Sequence, residues 1–255
     1  MFFVDKDYET FNEEYIKLNT KEIRDRRKEI QEKLLEINSD VKSLIVNKYK
    51  LHNHWNKANI TSLLFPCEYN HGIVNWIGVR YGRSKRDIML LNSGRELTDE
   101  YLGFQKYNCF QIDISRTGID IGIYHSVPKD SIDRSYVIEQ LNKSNDNFIN
   151  NLSCEIEKLQ GYNYQFEVSW INKETNNWEN RSFSLDDFNK ENVGQKFIQF
   201  YKENCIDGRY SCILYHYPRK DSRIQDKESI EKELLKNIEL LYPLYRIISW
   251  NFDNN

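Results

Sequence analysis

At 255 residues the chain is long enough for one large domain or two small ones, and for a core that needs no covalent staples. A formal charge of −3 supplies no global field toward nucleic acid or an anionic membrane, so any such contact requires a local basic patch. Five cysteines, an odd number without a C-x-x-C, argue against a disulfide framework or a zinc knuckle.

No apolar run reaches the roughly 18 residues of a membrane span. The start, Met1 to Asp7, lacks the basic and apolar regions of a signal peptide. A cytoplasmic setting is therefore expected. With aromatics at 14% and the hydrophobic share at only 39%, Tyr and Phe are expected to carry much of the burial.

Along the chain, Tyr8, Phe11, Tyr15 and Leu18 recur at helical spacing and predict a short helix over 7–18. Asn19 and Thr20 are cap residues for a second helix. Its stripe of Ile23, Ile30, Leu34, Ile37, Val41 and Leu44 predicts packing on a sheet, with Arg24, Arg26, Arg27 and Lys28 on the opposite, solvated face. A homodimer through this N-terminal helix is the alternative use of the stripe.

Residues 73–80, with Trp76, read as a strand. A turn at Gly82 and a return strand over 86–91 follow. A linking helix is expected over 98–106. Phe110, Ile112 and Ile114 alternate with Gln111, Asp113 and Ser115; after Arg116-Thr117-Gly118, Ile119, Ile121 and Ile123 alternate with Asp120, Gly122 and Tyr124. This hairpin should be aliphatic on one face and polar on the other. One helix is expected over 137–159, a strand through Tyr164, Phe166, Val168 and Trp170 with its return over 178–185, a helix over 185–201, a strand over 212–214, and a last helix stopped by Pro243.

The stretch Tyr124-His125-Ser126-Val127-Pro128-Lys129-Asp130-Ser131 recurs as Tyr215-His216-Tyr217-Pro218-Arg219-Lys220-Asp221-Ser222, agreeing at Tyr, His, Lys, Asp and Ser. Each copy follows an apolar strand and precedes a helix that leads to a Ser-Trp dipeptide, Ser169-Trp170 or Ser249-Trp250. These parallels predict an α+β fold with antiparallel sheets and helices packed on one face. They also predict two tandem divergent copies of a ββαββα unit with a period of about ninety residues. The corresponding divisions are an N-terminal helical segment over 1–55 and repeats over 56–160 and 161–255.

Four residues carry candidate acid–base chemistry. Asp113 and Asp120 lie on the polar face of one hairpin, where a carboxylate pair could hold a divalent metal. His125 and His216 sit at the repeated strand ends. No other cofactor is expected. Candidate nucleic-acid contacts are Trp76, Arg80, Arg83, Lys85 and Arg86 in one stretch, and Arg219 and Lys220 in another, since basic groups beside aromatics suit phosphates and unstacked bases. His52-Asn53-His54 is a tripeptide, whereas the HNH nucleases spread those residues over a ββα unit. Gly122-Ile123-Tyr124 lacks the matching Tyr-Ile-Gly of GIY-YIG nucleases.

From Phe110 to Trp170, the order of two strands ending Gly122-Ile123-Tyr124, a helix with Phe148 and Ile156, and a strand ending in Trp170 resembles accessory domains of bacterial restriction-type nucleases. That resemblance implies a non-catalytic role beside a nuclease or in antiviral defence, and brings no catalytic residue with it. The expected function is a bacterial or phage recognition module whose partner is a protein or nucleic acid. The alternative is a metal-dependent nuclease using Asp113 and Asp120.

Overall fold

The computed structural model describes residues 1–53, 60–92, 106–125, 131–172, 174–175, 178–186, 192–205 and 209–250. Its strands are β1 (His52–Asn53), β2 (Trp76–Gly82), β3 (Cys109–Ser115), β4 (Gly118–His125), β5 (Gln165–Ile171), β6 (Trp178–Ser184) and β7 (Tyr210–Pro218). They form an antiparallel sheet in the order β1-β2-β3-β4-β7-β5-β6. The helices are α1 (Asp5–Glu9), α2 (Lys21–Tyr49), α3 (Lys85–Leu91), α4 (Ile132–Asn142), α5 (Asp146–Lys158), α6 (Val193–Asn204) and α7 (Lys227–Ile248). The fold is α+β, with a long N-terminal helix, as the sequence pattern requires. Among the described residues no helix is long and apolar enough to cross a membrane.

The chain groups into two compact units. The first comprises Met1–Ser93, Phe110–Ile121 and His216–Ile238. In it α2 packs on β2, whose Ile77, Val79 and Tyr81 are buried. Thr20 caps α2 by accepting from the Ile23 N–H, and the helix runs unbroken through Asn38-Ser39-Asp40. Asn38 is buried and accepts from Asn53 Nδ2 at 2.8 Å. The stripe follows Ile23, Ile30, Leu34, Ile37, Val41 and then Ile45; Leu44 is 49% exposed. A step of four after Val41 keeps pace with 3.6 residues per turn better than a step of three.

Arg27 is not on a solvated face. It is wholly buried and occupies the stripe position between Ile23 and Ile30. Its Nη1 donates to the carbonyls of Leu18 (3.0 Å) and Leu64 (3.1 Å), and its Nη2 to those of Tyr15 (2.9 Å) and Ile16 (3.3 Å). The helix expected over 7–18 is confined to α1, and the chain continues as turns: the Phe11 N–H donates to the Tyr8 carbonyl at 3.1 Å and the Asn12 N–H to that of Glu9 at 3.0 Å, three-residue steps in place of the four of an α-helix, with Tyr8 and Phe11 buried.

The return strand expected over 86–91 is instead α3. Ser84 Oγ accepts from the Asp87 N–H while Asp87 Oδ2 accepts from the Ser84 N–H, a capping box that starts a helix. The partner of β2 is β3, paired from Trp76 with Ser115 to Tyr81 with Phe110.

The second unit comprises Gly94–Cys109, Gly122–Tyr215 and Glu239–Asn255. Here β5 pairs with β6 and with β7, and α5 packs against α6. Phe166, Phe183, Phe197 and Tyr201 form the aromatic centre, with Phe166 and Phe197 ring centroids 4.9 Å apart. The single helix expected over 137–159 is two, because Ser144 takes a left-handed φ of 52° and Asn145 caps α5 through the Phe148 N–H. The helix expected over 185–201 is α6; residues 187–191 lie outside the described ones, as does all but Lys106 of the link expected over 98–106.

Pro243 does not stop the last helix. A proline inside a helix costs about 3 kcal/mol. Leu241, Leu244, Tyr245 and Ile248 are all buried around it, each worth roughly 1.5–3 kcal/mol, so burial outweighs the lost hydrogen bond.

The tandem duplication is not confirmed among the described residues. Where the first half supplies the hairpin of β3 and β4, the described residues of the second show the single strand β7. Ile248-Ser249-Trp250 ends α7 and is not a strand, unlike Val168-Ser169-Trp170 in β5.

Replacing Arg27 with Met is expected to take from the Leu18 and Leu64 carbonyls the donor it supplies, while those of Tyr15 and Ile16 keep the N–H groups of Leu18 and Val74, and to lower stability by about 3 kcal/mol in urea unfolding. A loss under about 1 kcal/mol would show that water reaches those carbonyls.

Candidate functional site

Four strands of the first unit contribute side chains to one polar face. The register of β2 with β3 sets Trp76 against Ser115, Gly78 against Asp113 and Arg80 against Gln111, all on the side away from Ile77 and Val79. Only Arg116 and Thr117 separate β3 from β4, and a two-residue loop pairs Ser115 with Gly118 and hence Asp113 with Asp120. His216 on β7 completes the row.

The side chains are tied to one another. Arg80 is buried, lies 4.9 Å over the Trp76 ring and donates through Nε to Gln111 Oε1 at 2.7 Å. Gln111 in turn donates through Nε2 to Asp113 Oδ2. His216 Nδ1 lies 2.7 Å from Asp120 Oδ1. A Cβ on Gly78 would fall 2.6 Å from the Ile112 carbonyl oxygen and 2.7 Å from Asp113 Cβ, so no larger residue fits beside the carboxyl. A Cβ on Gly118 would run into the Tyr217 carbonyl and lie 3.1 Å from His216 Cε1.

Burial first, and then the charge of Asp120, push the Asp113 carboxyl up to about 8. At neutral pH it is a protonated acid, a donor as well as an acceptor. Its hydrogen bond from Gln111 and the positive charge of Arg80 act the other way but do not prevail. The hydrogen bond to Asp120, joined by the charge of Asp120, raises the pKa of His216 against the opposing effect of its partial burial. The row thus runs from a buried carboxyl at Asp113 to a half-exposed imidazole at His216, the end that solvent reaches. Two facing carboxyls, one of them driven up, with a histidine in hydrogen-bond contact, could exchange protons with a bound group or hold its donors. Among the described residues no group of three or more His, Cys, Asp or Glu is placed to hold a metal ion.

The structure therefore brings together Trp76, Arg80, Asp113, Asp120 and His216 and leaves the other sequence candidates elsewhere. Lys85 and Arg86 are exposed in the first turn of α3, and Arg83 is half-buried just before it. Arg219 lies 5.2 Å over the Tyr8 ring and donates to the Arg116 carbonyl; Lys220 is exposed.

His125 belongs to a buried network in the second unit. Asn108 Nδ2 donates to the Ile248 carbonyl (2.8 Å) and Ser249 Oγ (3.2 Å), so Asn108 Oδ1 accepts from His125 Nδ1 at 2.7 Å. That leaves His125 Nε2 to accept from the Tyr201 hydroxyl at 2.5 Å. Burial, and then the charge of Arg134, push His125 down to about 3, so it is a neutral, fully hydrogen-bonded core residue. Asp133 finishes the network by accepting from the N–H groups of Asn108 and Trp250, both at 2.8 Å or less.

Gln111, the bridge between Arg80 and Asp113, is absent from the sequence candidates. Its alternation with Phe110 and Ile112 places it on the polar face, but no chemistry singles out a glutamine. No protein-family model matches this chain, and no curated protein does.

Asp113→Asn tests the buried acid. An unfolded aspartate titrates near 4, whereas folded Asp113 holds its proton up to about 8. The stability tied to this group is fully present below about pH 4 and is lost progressively as pH rises to about 8. His216, also raised, adds a loss in the same direction as pH rises through its folded pKa. The Asn variant should be more stable than wild type at pH 8 and show a flatter fall across that window. An unchanged pH profile would mean that Asp113 ionises normally.

Tyr201→Phe leaves His125 Nε2 buried without a donor, and is expected to cost about 1–3 kcal/mol in thermal or urea unfolding.

Proposed function

We propose that this protein is a recognition module of bacterial or phage type, without catalytic chemistry, that receives its ligand on the polar face formed by β2, β3, β4 and β7 in the first unit. The observation that carries this reading is Asp113. A carboxyl kept buried and protonated between Gln111 and Asp120 costs stability, and such groups concentrate at functional sites. Cross-linking among Arg80, Gln111 and Asp113, and between Asp120 and His216, holds donors and acceptors in position before any ligand arrives. Trp76 adds an aromatic surface beside them. Such a row suits an extended polar partner, a protein segment or a nucleic-acid strand. The resemblance of 110–170 to accessory domains of restriction-type nucleases supports a place beside a nuclease or in antiviral defence.

The test is direct binding of labelled single-stranded DNA, duplex DNA and RNA, and of the products of neighbouring genes, at two salt concentrations. Binding of at least one of these is expected, weakened about tenfold or more by Asp120→Asn. No binding to any of them counts against the proposal.

A second reading rests on the same juxtaposition. The facing carboxyls of Asp113 and Asp120 could serve a metal-dependent nuclease, with substrate and water supplying the remaining ligands of the ion. Incubation with plasmid and RNA in Mg²⁺ or Mn²⁺ separates the two readings. Cleavage that disappears in Asp113→Ala would replace the first reading with the second.

A further inference from the structure

Strand β6 closes one end of the strand order, and among the described residues β5 is the only strand paired with it. The strand at the other end, β1, is two residues long and presents little backbone to a newcomer. β6 is seven residues long, Trp178-Glu179-Asn180-Arg181-Ser182-Phe183-Ser184, and carries neither the proline nor the lysine that commonly blunts an edge. Its alternation puts Glu179 and Arg181 on one side of the sheet and Trp178, Asn180 and Ser182 on the other. Asn180, Arg181 and Ser182 are exposed, and so is Trp178.

We propose that two copies of this chain join through β6, antiparallel, about a two-fold axis at Asn180. The charges choose that register. With Asn180 facing its own copy, Glu179 faces the partner's Arg181, Arg181 faces the partner's Glu179, and Trp178 lies across from the partner's Ser182. A slip of the axis to Glu179 or to Arg181 would set like charges directly opposite each other, which antiparallel strands disfavour. With the axis at Asn180 the two-fold makes the Glu179–Arg181 pair twice, whereas either slip makes a like-charge pair on the axis itself. Contacts within the chain hold both side chains beside the strand: Glu179 Oε1 accepts from Asn172 Nδ2 at 2.5 Å, and Arg181 Nη1 donates to Asn204 Oδ1 at 3.2 Å. The backbone groups on the outer side of β6 then pair as a ladder between the copies.

Sedimentation velocity of the full chain over a range of concentrations tests this, with circular dichroism confirming that each variant is folded. Wild type is expected to show a concentration-dependent monomer–dimer equilibrium. Glu179→Arg and Arg181→Glu should each weaken it about tenfold, and the two together should restore it. Asn180→Lys, which sets two ammonium groups face to face at the axis, should also weaken it. A monomer persisting at about 0.1 mM would overturn the proposal. So would a dimer insensitive to the single reversals, or one that the double exchange fails to restore.

Discussion

The structure depends on the register of the short hairpin that joins β3 to β4. With two residues in the loop, the aliphatic side chains of both strands fall on one face and Gln111, Asp113, Ser115 and Asp120 on the other. A slip of β4 by one residue would turn Ile119 and Ile121 toward the polar side and carry Asp120 into the apolar one. The cost of that exchange, several buried aliphatic chains at roughly 1.5–3 kcal/mol each, is why the two carboxyls must face one another. The repulsion between them follows from the core and is not relieved by it.

Three buried polar groups are accommodated in three ways. Arg27 keeps its charge under four backbone carbonyls and spreads it over their dipoles. His125 gives up its charge and becomes a neutral link between Asn108 and Tyr201. Asp113 also gives up its charge, but beside the charged Asp120 and at the buried end of a row that solvent reaches at His216. The first two solutions tie distant segments together within their own unit. The third ties only neighbouring strands that the backbone ladder already joins, so it adds little to the fold. This difference separates a functional reading of Asp113 from a structural one of Arg27 and His125.

The repeated Tyr-His stretch shows how local likeness can part from tertiary role. His125 shares its phase along β4 with Ile119, Ile121 and Ile123 and therefore points into the core. His216 is out of phase with the buried Ile213 and Tyr217 of β7 and therefore points to the polar face. The same pair of letters, one position apart in phase, yields a neutral core residue in one unit and a charge partner of Asp120 in the other.

Periodicity alone determined much of the architecture. The alternation in β3, β4 and β5, the stripe of α2 and the α+β class all follow from side chains repeating every two or 3.6 residues, a property of the local chain. That Asp113 and Asp120 share a polar face was legible for the same reason. Which strand pairs with β2, whether 86–91 continues as strand or helix, and whether Pro243 ends α7 were decided by partners far away in sequence. So was the fate of Arg27, which looks like one more surface cation until the carbonyls of Tyr15, Ile16, Leu18 and Leu64 converge on it. His216 joined Asp120 across ninety-six positions of chain, through a strand neighbour that no local pattern specifies. Local geometry sets which way a side chain points; only packing sets what it meets.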